Sequence, residues 1–274
     1  AAVPFAPLHL PSELEAIDVV TARAPGTAQV VCLDTAFHRT MPAVARRLPL
    51  PRWVDDEGIH RYGFHGLSYE YVVEHLGAAT LGRAVVTHLG SGASLAAILD
   101  GRSLDTTMGF TPAGGIVMAT PPGDLDPGTL IHLARTHGLD PDALETLLNR
   151  ESGLLGLSGH SADMVELTRR APHDADAALA IDAFCRSAAK AIGSLATVLR
   201  GIDTVVFTGG VGEHAADVRS AILERVAHLG VTVDAARNEA HAEVISDDAS
   251  PITVRVVATD ENLVIARTAV RLLR

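Results

Sequence analysis

Short β-branched runs alternate with longer helical patterns along this chain, and that alternation limits the architectures open to it. Strands are expected at residues 29–34, 84–89, 94–99, 204–208 and 253–258, each bounded by Gly, Asp or Thr. Helical spacing of apolar residues is expected over 67–76, 128–137, 141–149, 174–199, 215–229 and 261–272. Interleaving of this kind points to an α/β fold with a mixed or parallel sheet. The Pro-rich stretch at 48–52 reads as a surface connection, and there is no internal repeat or low-complexity tract.

Two expected strands end in glycine-rich turns, His88-Leu89-Gly90-Ser91-Gly92 and Thr208-Gly209-Gly210-Val211-Gly212-Glu213. Ligands of open α/β sheets sit in crevices at such strand ends. Glycine also lets backbone N–H groups approach an oxyanion closely. The plainer reading is a tight turn that needs positive φ. Two such turns, with a third Gly-rich segment at 108–115, favour phosphate binding.

Composition narrows the ligand. Of the 274 residues, 47% are hydrophobic, mostly aliphatic, and only 4% are aromatic, which suits helices on an aliphatic sheet and not a base-stacking platform. A net charge of -11 excludes a long polyanion track, so nucleic acid is not an expected partner. Cys32 and Cys185 each lie in an apolar run without a metal-type partner, and are expected as buried thiols in a reducing cytoplasm. No stretch is apolar over the ~20 residues of a membrane helix. The N-terminal run lacks a signal-peptide pattern, so a soluble cytoplasmic protein is expected.

Three acidic or basic side chains have chemistry beyond packing. His65 lies between glycines in Gly63-Phe64-His65-Gly66, where its imidazole can project toward a phosphate, although a turn histidine is commonly a surface residue. Asp34 ends an expected strand, where a carboxylate needs a partner; the alternative is an N-cap for a segment starting near Ala36. Glu261 opens the last helix, where the helix dipole alone favours an acid.

The ordered set Asp34-Thr35-Ala36-Phe37-His38, Tyr62-Gly63-Phe64-His65-Gly66, Thr87-His88-Leu89-Gly90-Ser91-Gly92-Ala93-Ser94, 105–112 and Phe207-Thr208-Gly209-Gly210-Val211-Gly212-Glu213 resembles the acetate and propionate kinases. Agreement runs from about Phe5 to the C-terminus. The resemblance implies an actin-like ATPase (ribonuclease H-like) fold and Mg2+-dependent transfer of the ATP γ-phosphoryl group to a short carboxylate such as acetate or propionate, giving ADP. It also implies a homodimer. By the same resemblance His65 stabilises the transferring group, Asp34 orients the catalytic arginine or the acetate, and His9 lies near the cleft. Residues His88, Leu89, Gly90, Ser91 and Gly92, with Gly209, Gly210, Val211, Gly212 and Glu213, match the ATP phosphate and adenosine motifs. Asp163, Met164 and Val165 match the adenine side, and Glu261 matches a glutamate that holds Mg2+ through water.

The resemblance also marks differences. Family chains begin over a hundred residues earlier, with a lobe carrying an Asn, a Gly-Ser-Ser-Ser loop and a carboxylate-binding Arg. Residues 1–35 are accordingly expected to be a remnant of that lobe, 36–258 the nucleotide-binding and dimerisation lobe, and 259–274 a helix returning toward the first. An exposed apolar face is expected where the lobes meet. Pro121 stands where the family has a catalytic arginine, Ser91 and His214 where it has Asn, and Val165 where an Arg packs on adenine. Three functions stay open: an acetate or propionate kinase, an impaired relative kept for nucleotide binding or dimerisation, and a butyrate-type acyl kinase.

Overall fold

The computed structural model describes residues 10–274, with side chains from residue 14 onward. His9 therefore lies outside the described residues.

The centre is a five-stranded sheet of β1 (Ala84–Leu89), β2 (Ala93–Leu99), β3 (Arg102–Thr106), β4 (Thr204–Thr208) and β5 (Thr253–Val256), in the order β3-β2-β1-β4-β5. The hairpins β1–β2 and β2–β3 are antiparallel, while β4 lies parallel to both β1 and β5. The main helices are α1 (Leu10–Arg23), α2 (Gly66–Leu76), α3 (Pro127–His137), α4 (Pro141–Arg150), α5 (Gly153–Ser158) and α6 (Met164–Arg170). They continue as α7 (Ala175–Leu199), α8 (Gly209–His214), α9 (Ala216–Arg225) and α10 (Glu261–Leu272).

Both faces of the sheet are covered, which explains why β1 and β4 carry consecutive apolar residues, Val85-Val86 and Val205-Val206-Phe207, in place of strict alternation. Alternate residues of each strand face opposite layers. Val85, Val205 and Phe207 join Phe184 and Ile192 of α7 and Ile222 of α9 in the larger core. Val86, Val206 and Ile98 face Tyr69 and Val72 of α2 on the other side. The long helix α7 starts where Asp174 accepts the N–H groups of Asp176 and Ala177, and stops at Arg200 in the left-handed region.

Two expectations need correction, and two elements come in addition to those expected. Residues 29–34 form no strand: the segment is irregular, with Val31 and Leu33 more than 60% exposed. A β-branched run forms a strand only where a sheet edge receives it, and none of the described strands pairs with this one. Conversely, β3 was not anticipated, because Arg102-Ser103-Leu104-Asp105 is polar. Its signal was the Asp100-Gly101 pair, both at positive φ, which makes the β2–β3 hairpin turn. The single helix expected over 215–229 ends at Arg225 and is followed by a separate 3-10 turn, Ala227–Leu229. Helix α1 went unrecognised.

Both cysteines are free, but Cys32 is only half-buried, since it lies in the irregular segment; Cys185 is buried, which pushes its thiol up to about 11. Among the described residues no helix is long and apolar enough to cross a membrane. Exposed apolar side chains are present on the terminal elements, including Leu14, Val19 and Val20 on α1 and Ile265, Val270 and Leu272 on α10.

Candidate active site

The parallel pairing of β1 with β4 sets His88 opposite Thr208, so both glycine turns leave the sheet at the same end. The first turn closes on itself through Gly90 N–H to Gly92 O at 3.0 Å. The second rests on the first. Gly209 has φ +77, and a Cβ there would lie 2.8 Å from the carbonyl oxygen of Leu89, so both conformation and space demand glycine. This residue opens helix α8, so the second turn is a helix start and not a free loop.

Two side chains, one partly and one fully buried, lock this arrangement. Glu213 Oε1 accepts the N–H of Gly209 at 3.0 Å and that of Thr259 at 3.3 Å, tying the end of β4 to the segment after β5. Its carboxylate thus has a structural task inside the loop. Arg219 is fully buried and directs its donors to Gly212 O, Glu213 O, Asn238 O, Asn238 Oδ1 and His241 Nδ1. A guanidinium at the C-terminal end of α8 also complements the helix dipole.

His65 reaches the first turn from α2, where it occupies the N-cap position with φ 58 and ψ 27. Asp34 holds it there. Its Oδ2 accepts the His65 N–H at 2.6 Å, its Oδ1 accepts the Leu67 N–H at 3.2 Å, and its backbone oxygen accepts the Gly66 N–H at 2.8 Å. A Cβ on Gly66 would sit 2.1 Å from that backbone oxygen, so the motif requires glycine here. Asp34 therefore does cap a helix, but it is α2 and not the segment after Ala36, whose N-cap Thr35 makes no side-chain bond.

The His65 ring stacks on His88 with centroids 4.2 Å apart, and its Nδ1 lies 2.9 Å from Ser94 Oγ. Its Nε2 faces the turn: a Cβ on Gly92 would lie 3.2 Å from it. His88 Nδ1 pairs with Ser68 Oγ at 2.9 Å, and desolvation, then the neighbouring His65, pushes His88 down to about 3 against the opposing pull of Asp34. His88 is thus a neutral platform.

His38 is buried between Ser103 Oγ and Phe64 O, and burial lowers it to about 4. In the unfolded chain it titrates near 6.5. Between these values the unfolded state binds a proton that the native state lacks, so stability present above pH 6.5 is lost as pH falls toward 4. Urea melts on both sides of that window should show a loss of about 3 kcal/mol from this group, and His38→Gln should flatten that part of the profile.

Glu261, in the first turn of α10, is half-buried, and burial followed by the charge of Asp34 raises its pKa. Glu261 thus lies close enough to Asp34 for the two charges to repel, which a divalent cation would relieve. Among the described residues no group of three or more His, Cys, Asp or Glu could hold a metal alone, so such an ion would depend on phosphate and water oxygens. The hydroxyls of Thr208, at the end of β4, and Thr259, beyond β5, are buried without partners among the described residues, as expected where a ligand completes a site.

The remaining expected residues divide. Pro121 lies beside the first turn: Ala119 N–H donates to Ser91 O at 3.1 Å, and Met118 N–H to Pro121 O at 3.0 Å. Asp163 caps α6 by accepting the Glu166 N–H at 2.8 Å, Met164 is in the core, and Val165 is 78% exposed. Among the described residues no hydrogen bond joins these three to either turn. His214 closes α8 with an exposed ring. Sequence reading missed Ser94, Tyr69, Ser68 and Arg219 as parts of the site. Ser94 was within a quoted motif, but Arg219 had no signal beyond one charge in a helical pattern.

The acetokinase family profile matches residues 1–267. The chain is 46% identical over 275 residues to an acetate kinase of Nitrobacter hamburgensis, covering 99% of this chain and 68% of that protein. It is 45% identical over 275 residues to an acetate kinase of Rhodopseudomonas palustris, covering 98% and 69%. Among solved structures, a propionate kinase from Francisella tularensis superimposes with a TM-score of 0.92 at 37% identity, covering 97% of this chain and 70% of that one. An acetate kinase from Porphyromonas gingivalis gives 0.91 at 38%, covering 100% and 71%. Matched in sequence over nearly its whole length and in fold to these enzymes, with its actin-like ATPase sheet and paired glycine turns, the chain belongs to the acetokinase family.

Proposed function

We propose that this chain carries the ATP-binding and phosphoryl-transfer site of a kinase acting on acetate or propionate. The observation that supports it most is the convergence of both glycine turns and the His65–His88 stack on one end of the sheet. In this reading a carboxylate oxygen attacks the γ-phosphorus, the bond to the ADP oxygen breaks, and an acyl phosphate forms. Backbone N–H groups of the two turns hold the phosphates, and His65 hydrogen-bonds the equatorial oxygens as charge spreads over them. Asp34 acts through the backbone, by fixing the His65–Leu67 turn. Mg2+, held by Glu261 through water, would neutralise phosphate charge. Asp163, Met164 and Val165 form the adenine side in this reading, and His9, outside the described residues, is assigned to the cleft by the family resemblance alone.

The same reading takes residues 1–35 as a remnant of an N-terminal lobe, 36–258 as the nucleotide-binding and dimerisation lobe, 259–274 as a helix returning toward the first lobe, and the assembly as a cytoplasmic homodimer without nucleic-acid or membrane partners. The exposed apolar residues of α1 and α10 support a covered face there.

The test is ATP-dependent acyl phosphate formation, trapped as hydroxamate, by the full-length gene product with acetate, propionate and butyrate in competition. Turnover with the two shorter acids supports the proposal, and preference for butyrate points to another acyl kinase. MgADP binding without transfer would favour the second reading, an impaired nucleotide-binding relative, which Pro121 beside the Ser91 turn makes concrete. Glu261→Gln is expected to raise the Mg2+ concentration for half-maximal activity by ~10-fold while leaving the fold intact. An unchanged Mg2+ dependence would remove Glu261 from the metal site.

A further inference from the structure

Behind His65 lies a short chain of hydroxyls that ends in the protein interior. The Tyr69 hydroxyl is 2.5 Å from Ser94 Oγ, and Ser94 Oγ is 2.9 Å from His65 Nδ1. Tyr69 and Ser94 are both wholly buried. Tyr69 projects from α2 and Ser94 from β2, so the chain links the helix that carries His65 to the strand that follows the first glycine turn.

The direction of the chain follows from its inner end. Ser94 Oγ is the sole hydrogen-bond partner of the Tyr69 hydroxyl among the described residues, and the surroundings are the rings of Phe37 and His38. Burial raises the Tyr69 pKa well above its ordinary value, so the phenol keeps its proton. Were Ser94 to donate to Tyr69, the phenolic proton would point into hydrocarbon with no acceptor. Leaving a buried O–H unpaired disfavours that arrangement ~10-fold or more. The phenol therefore donates to Ser94, whose own proton is then free to go only to His65 Nδ1. A ring nitrogen that accepts cannot carry the proton, so the neutral imidazole bears it on Nε2.

We infer that Tyr69 and Ser94 are positioning residues that fix the His65 tautomer, so that the ring offers an Nε2–H donor toward the Gly90-Ser91-Gly92 turn. The geometry agrees: Nε2 is the ring nitrogen that faces Gly92. The stack on neutral His88 holds the plane of the ring, while the hydroxyl chain sets which edge donates. The consequence for catalysis rests on the proposed role of His65, whereas the tautomer itself does not.

The experiment is nitrogen NMR of the full-length gene product labelled at histidine, in mildly alkaline buffer. His65 is expected to show a protonated Nε2 and a bare Nδ1, in at least ~10-fold excess over the other tautomer. In Ser94→Ala that excess should relax, and kcat should drop ~10-fold with the KM for ATP nearly unchanged, since a donor used mainly in the transition state is misdirected. A His65 ring protonated on Nδ1, or on both nitrogens, overturns the inference. So does a Ser94→Ala protein with unaltered kcat in an active enzyme. Because the wild-type spectrum needs no turnover, failure of the kinase reading and failure of the tautomer reading are separable.

Discussion

Replacing Pro121 with arginine in the full-length gene product is expected to raise the rate of phosphoryl transfer by ~10^3. Transfer passes through a loose transition state with charge on three equatorial oxygens, and a guanidinium stabilises that charge with paired donors. Proline offers neither charge nor N–H. The position is suitable: the 118–121 segment folds onto the first glycine turn through the Ala119–Ser91 hydrogen bond. Substitution should preserve the segment's hydrogen bonding, because the bond that Pro121 makes among the described residues is through its carbonyl oxygen, to Met118 N–H, and any residue supplies that. Gly153, whose added Cβ would press on Met118 O and Pro121 O, keeps the loop seated from behind. Steady-state kinetics with Pro121→Arg checks this. Equal kcat in the two proteins would mean that the cation comes from elsewhere or that no transfer occurs here.

Arg219→Met is expected to lower stability by at least ~4 kcal/mol, a large share of a domain's total. Five guanidinium donors meet five acceptors, with no water path, since Arg219 is fully buried. Methionine fills much of the volume but leaves every acceptor dry. Lysine retains the charge but has three donors on one nitrogen and cannot span from Gly212 to His241. Denaturant melts should therefore rank wild type above Arg219→Lys above Arg219→Met. The glycine helix α8 should loosen first, because its last carbonyls depend on this residue. A melt midpoint unchanged in Arg219→Met would show that these bonds contribute little.

The sheet was legible in the sequence wherever both faces are buried, because β1 and β4 then carry consecutive Val residues within β-branched runs of strand length. It was illegible where the pattern depends on a partner. Residues 29–34 have strand composition but no described strand to pair with, and β3 has edge-strand polarity that only its Asp100-Gly101 turn betrays. The site divided along a similar line. Glycines with a steric obligation, such as Gly66 and Gly209, left a readable motif, as did the histidine between glycines. What could not be read was connection across distance. Asp34 caps a helix whose N-cap residue lies 31 positions later, and the donors of Arg219 close a loop that a one-dimensional pattern shows only as an isolated charge. Asp163 shows how one residue can carry two readings, since an acid in a motif also serves as an N-cap.

The central claim is that both glycine turns serve one nucleotide cleft. Hydrogen exchange followed by mass spectrometry, with MgADP titrated into the full-length gene product, tests it most directly. Peptides spanning 88–92 and 209–213 should become protected together, with the same half-saturating concentration, and His65→Ala should leave that protection in place. Protection of one peptide without the other, or of neither at millimolar nucleotide, would contradict a shared site.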